Sequence, residues 1–111
     1  MAVPGSFHYE VEKPPQDHLG NKVTTIKCHG RLMSDNTSDF KALVKSLIAR
    51  GGRIVIDFGD LIYIDSAGLG ALVGLKVSAI NQGHCQLEFV KMTPRILELL
   101  RITRLTRILS S

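Results

Sequence analysis

The stretch from Leu61 to Gly74, L-I-Y-I-D-S-A-G-L-G-A-L-V-G, leaves this chain little freedom in how it folds. An apolar strand ending runs directly into Asp65-Ser66, two glycines follow, and an apolar helical pattern continues to about Gln82. Asp65 and Ser66 therefore fall where a strand hands over to the first turn of a helix. The first N–H groups of a helix have no partner inside it and favour hydroxyl, carboxylate or phosphate oxygen. Either residue can cap the helix. If Asp65 does so, Ser66 takes the first helical position with its hydroxyl outward.

The segments around this junction alternate between strand and helix. Phe7–Glu12 alternates apolar and polar residues, as a half-buried strand does, and Lys13–Lys22 reads as a loop through Pro14-Pro15 and Gly20-Asn21. Val23–His29 is a second strand, forming a hairpin with the first. Asp35-Asn36-Thr37-Ser38 offers several N-caps for a helix whose apolar face is Phe40, Leu43, Val44, Leu47 and Ile48, stopped by Gly51-Gly52. Arg53–Phe58 has the β-branched look of a strand covered on both faces, with Gly59-Asp60 beginning a link.

The helix from about Ala67 to Asn81 carries Leu69, Leu72, Val73, Leu75, Val77 and Ile80 on an arc wide enough to be largely buried. Cys85–Val90 is a further strand. Thr93-Pro94 opens a last helix with Ile96, Leu97, Leu99 and Leu100 on its apolar side. Ile102–Leu109 fits either helix or a short edge strand. The expected class is α/β, in the order β-β-α-β-α-β-α with room for a short final strand. An N-terminal hairpin joins parallel strands linked by right-handed crossovers, so the sheet is mixed.

The 111 residues make one domain over 1–111, with 1–6 as a tail. An apolar share of 44% and a charged share of 22% are ordinary for a globular protein. No apolar run reaches the roughly 18 residues that a membrane crossing needs, and no secretory signal is visible, so a cytoplasmic location is expected. Cys28 and Cys85 fit two buried free thiols of a reducing compartment. His8, His18, His29 and His84 show no metal-ligand spacing, and no cofactor or metal is expected.

This element order, with Y-I-D-S-A-G-L-G at Tyr63–Gly70, resembles the STAS family, and within it the bacterial anti-sigma factor antagonists. The likeness spans about Phe7 to Leu109. Its most specific part is Asp65-Ser66-x-Gly68-Leu69-Gly70, supported by Gly30-Arg31-Leu32, Ile54–Phe58 and Thr93-Pro94. The resemblance implies that Ser66 is phosphorylated by a partner serine kinase, itself the anti-sigma factor, and that a serine phosphatase resets it. It implies a partner-binding surface of Asp65, Ser66, Ala67, Gly68, Leu69 and Gly70, together with Ser34 and Asp35.

Two departures stand out. Met33 occupies the place where many members carry an acid after G-x-L, so that contact is missing or displaced. The family usually continues past its last helix with a strand and one more helix, which is not expected within these residues, since the sequence stops at Ser110-Ser111.

Other readings stay open beside this one. Ser66 can be a cap and nothing more, and Gly68, Gly70 and Gly74 can serve only close helix–sheet packing. Asp57 reads as a turn-satisfying residue. Arg101, Arg104 and Arg107 recur every three positions, which suits a solvated face better than membrane insertion or direct nucleic-acid contact. Ser66 lacks the flanking glycines of a nucleophile elbow, and no phosphate-binding G-x-x-x-x-G-K-[ST] occurs, so catalysis finds no footing. The alternative functions are a STAS subunit of a membrane transporter of the lipid-transport ATPase type, and a stressosome-like scaffold without kinase control.

Overall fold

The computed structural model describes residues 7–12 and 23–110. The expected tail 1–6 and the loop Lys13–Lys22 lie outside them. The elements are β1 (His8–Glu12), β2 (Val23–Leu32), α1 (Thr37–Arg50), β3 (Gly52–Ile64), α2 (Ser66–Gln82), β4 (Cys85–Val90), α3 (Pro94–Ile102) and α4 (Thr106–Ser110). They build one mixed sheet in the order β1-β2-β3-β4, with β1 antiparallel to β2 and both later pairings parallel. The expected α/β class and hairpin hold. The final segment folds as helix α4 instead of an edge strand, and α4 packs against α2 and β4.

Strand β3 corrects the sequence reading most. Gly59-Asp60 was expected to link two pieces, yet the strand runs unbroken for 13 residues. Its pairing with β2 passes from Lys27↔Asp57 to His29↔Asp60, and from Gly30↔Leu61 to Arg31↔Tyr63. In each interval β3 carries one residue more than β2, which makes two β-bulges. At the first, the Gly59 N–H donates to Asp57 Oδ1 at 2.8 Å, so Asp57 satisfies a local kink as expected.

The sheet is buried on one face only. Ile26, Cys28, Ile54, Ile56, Phe58 and Leu87 form the apolar face of the core, against Phe40, Val44, Leu72 and Leu75 from α1 and α2. Both crossovers step the same way across the sheet, and a shared right hand places α1 and α2 on one side. The opposite face carries polar contacts instead of apolar cover: the ion pairs Lys27–Glu12 at 3.2 Å and Arg53–Glu88 at 2.8 Å, with the His29 ring set between the Glu10 and Asp60 carboxylates at 3.4 and 3.1 Å. Double cover of β3 is therefore not found. Strand β1 is exposed along its whole length, not half-buried, because its one neighbour is β2 and it stands at the sheet edge.

Helix α2 is also less enclosed than its composition suggests. Leu69, Leu72 and Leu75 are buried, but Val77 and Ile80 are exposed. Lys76 takes a core-facing position, 6% exposed, and its Nζ donates to the Leu87 carbonyl at 2.5 Å. In α3 the buried pair is Ile96 and Leu100, whereas Leu97 is exposed. Cys28 and Cys85 are both free; the first is buried and the second half-buried. No described helix is long and apolar enough to cross a membrane.

Candidate functional site

The site is the mouth of α2, where β3 ends at Ile64 and the helix starts at Ser66. Asp65 is the N-cap, with extended backbone (φ −98°, ψ −176°), and its Oδ1 accepts the Gly68 N–H at 2.8 Å. Its backbone oxygen accepts the Leu69 N–H at 2.9 Å, and its own N–H donates to the Leu32 carbonyl at 3.2 Å. With the cap supplied by Asp65, Ser66 stands at the first helical position with its side chain exposed.

The second carboxylate oxygen of Asp65 accepts the Ser34 N–H at 3.0 Å, which brings the β2–α1 turn beside Ser66. That turn has its own clasp. Asn36 Oδ1 accepts the Met33 N–H at 3.0 Å while Asn36 Nδ2 donates to the Arg31 carbonyl, also at 3.0 Å. Asn36 stands at the N-cap position of α1 but makes no side-chain cap bond there, since its amide is engaged with the turn. Sequence reading had it only as one of four cap candidates. Ser34 and Asp35 are exposed at the tip of this turn.

The glycines divide into two kinds. A Cβ on Gly68 would meet Ile64 Cγ1 at 2.6 Å and the Leu32 carbonyl oxygen at 2.7 Å, so this glycine lets the helix start close onto the strand ends. A Cβ on Gly70 or Gly74 would meet nothing within 4 Å. Packing against the sheet therefore accounts for Gly68 and not for Gly70 or Gly74. Of the residues expected at the partner face, Asp65 is half-buried and Ser66, Ala67, Gly70, Ser34 and Asp35 are exposed. Gly68 and Leu69 are buried beneath them and support the surface from below.

No three described His, Cys, Asp or Glu side chains cluster as metal ligands. Burial, helped by the nearby Asp57 charge, pushes the Cys28 thiol up to about 12. The Cys85 thiol is raised by burial too, against an opposing pull from the Lys76 ammonium. Neither is poised as a nucleophile.

The family model described as "Mlab, STAS domain" matches residues 17–110. The chain belongs to the STAS family. A comparison with curated proteins finds no match to it. Among solved structures, this STAS domain is similar to an anti-sigma factor antagonist from Mycobacterium paratuberculosis, at a TM-score of 0.71 and 19% identity over 96% of this chain and 86% of that one. It is similar to a Thermotoga maritima protein provisionally identified as an anti-sigma factor antagonist, at 0.69 and 25% over 94% and 83%. A third is the Bacillus cell fate determinant SpoIIAA in its phosphorylated form, at 0.66 and 17% over 90% and 86%. STAS domains of this fold are in general non-catalytic.

Proposed function

We propose that this STAS domain is an anti-sigma factor antagonist acting as a phospho-switch. It binds an anti-sigma serine kinase while Ser66 carries a free hydroxyl and releases it once Ser66 is phosphorylated; a serine phosphatase restores the binding form. The observation that carries this reading is the division of labour at α2. Asp65 holds the cap, so the exposed Ser66 has no structural duty there. The existence of a fold relative in a phosphorylated form supports it.

Charge makes the switch. A phosphoserine brings about −1.5 to −2 charge at neutral pH. At a helix N-terminus the dipole offsets this by roughly 0.3 to 1 kcal/mol, so the fold tolerates it. Against a docked partner the same dianion loses water without gaining a counter-charge, at several kcal/mol. That lowers affinity about a hundredfold or more. Asp65 beside it adds like charge. The bare surface at Ala67 and Gly70 allows another backbone to approach closely. The protein would work in the cytoplasm, without cofactor or metal and without touching nucleic acid itself.

The test is incubation with ATP and the cognate kinase, followed by mass spectrometry of the peptide spanning Ser66. One phosphate on Ser66 is the expected product. Phosphate elsewhere, or none with an active kinase, overturns the reading. The second reading, a subunit of a membrane transporter, draws on the exposed Val77 and Ile80, since permanent interfaces are more apolar than switched ones. It predicts co-purification with the transporter whatever the state of Ser66.

A further inference from the structure

A hollow of about 340 Å³ opens beside the mouth of α2, lined by Arg31, Met33, Ile62, Tyr63 and Arg95. Its lining residues neighbour the Ser66 site along the chain: Met33 precedes Ser34, whose N–H is held by Asp65, and Tyr63 lies two residues before that aspartate. Its floor is apolar, with Met33 half-buried and Ile62 59% exposed. Its rim is basic. The Arg95 guanidinium carbon stands 5.5 Å from the centroid of the Tyr63 ring, and Arg31 is exposed.

No ion pair engages either arginine among the described residues, and none of the described lining residues carries a carboxylate. A guanidinium held over a ring keeps its N–H fork pointing outward, in the geometry that matches a carboxylate. The β2–α1 turn that carries Met33 is clasped by Asn36, so this wall is already ordered before anything binds.

We propose that this hollow receives an acidic segment of a protein partner. An apolar side chain seats on Met33, Ile62 and Tyr63, and flanking carboxylates pair with Arg31 and Arg95. The combination decides the class of occupant. A lone phosphate would engage the two arginines and leave Ile62 in water, whereas a segment carrying both features covers floor and rim together. The assignment rests on the proposed function only in taking the Ser66 end of α2 as the docking side.

The probe is the acetylated and amidated peptide Asp-Glu-Leu-Phe-Glu-Asp, titrated into the ¹⁵N-labelled full chain and followed by NMR. Saturable shifts are expected at the Arg31 and Arg95 side-chain N–H groups and at the Ile62 and Tyr63 amides. The double variant Arg31→Glu/Arg95→Glu, its fold checked by the dispersion of the same spectrum, should bind about tenfold more weakly. So should the wild-type chain toward a peptide in which serines replace the leucine and phenylalanine.

Three results overturn the assignment: no saturable shift at about 5 mM peptide, equal shifts with inorganic phosphate alone, or affinity unchanged in the double variant. The titration needs no kinase. Its failure is therefore separate from a failure of Ser66 phosphorylation, which mass spectrometry reads independently.

Discussion

One carboxylate oxygen of Asp65 accepts the Ser34 N–H at 3.0 Å while the other accepts the Gly68 N–H at 2.8 Å. A single side chain thus starts helix α2 and fastens to it a turn that is 31 residues away in sequence. Ser66 and the Ser34-Asp35 tip are held in fixed relation, which is what a docking surface made from two segments requires.

Replacing this aspartate should show both jobs. Asp65→Ala is expected to destabilise the domain by about 0.5–2 kcal/mol, the range for a lost N-cap. The exposed Ser34 N–H can turn to water, so its share is small. Asp65→Asn keeps one acceptor oxygen and should lose about half as much. Urea midpoints of the three proteins give the comparison, and equal midpoints would show that the cap does not hold the helix.

The glycines of α2 should respond with opposite signs. Gly68→Ala forces a methyl group against Ile64 and a backbone carbonyl, and a loss of about 1–3 kcal/mol is expected. Gly70→Ala adds the same methyl to open space and should stabilise the helix by up to about 1 kcal/mol. If Gly70 lies under a partner, the same variant weakens binding while raising the thermal midpoint. That pairing of effects is the signature to look for.

At Ser66 stability and affinity should separate. Ser66→Asp is expected to leave folding within about 1 kcal/mol of wild type, since its charge sits at a helix N-terminus. Affinity for the kinase should fall about a hundredfold, with Ser66→Ala binding nearly as wild type. Calorimetry of the free protein beside titration against the kinase reads both. A large loss of folding stability in either variant would make Ser66 a structural residue.

The two thiols should differ in reach. Cys85, half-buried, is expected to react first with a disulfide reagent near neutral pH, and Cys28 only as the domain opens. Burial raises the Cys28 thiol from 9.0 to about 12, so the fold favours its protonated form. Its contribution is fully present below about pH 9 and is lost as pH rises through about 12. Cys28→Ser should flatten that alkaline decline, measured as denaturant midpoint against pH.

The sequence made some of this architecture legible and hid the rest for physical reasons. Strand–helix alternation, a cap at Asp65 or Ser66, Thr93-Pro94 opening the last helix and Gly51 closing the first follow from local chemistry, and the structure has them, with Asp65 as the cap. The unbroken β3 was hidden because a bulge looks like a link: Gly59-Asp60 is punctuation whether the chain turns away or kinks in place. Burial in α2 departs from what its composition suggests in both directions. Lys76 is enclosed since it shares a face with Leu72 and Ala79, while Val77 and Ile80 look outward despite being apolar. Composition has no way to report which side of a helix meets the core. The link from Asp65 to Ser34 and the hollow between Arg31 and Arg95 depend on tertiary approach, and no spacing rule predicts them.

The uncovered face of the sheet has an evolutionary corollary. Its well-exposed charged pairs, such as Lys27–Glu12, contribute little to holding the chain together. Natural variants can therefore rewrite that surface, reversing signs or adding anchors for new neighbours, without eroding the folded state. Drift on one side and restraint on the other would let descendants of one small domain settle into quite different assemblies.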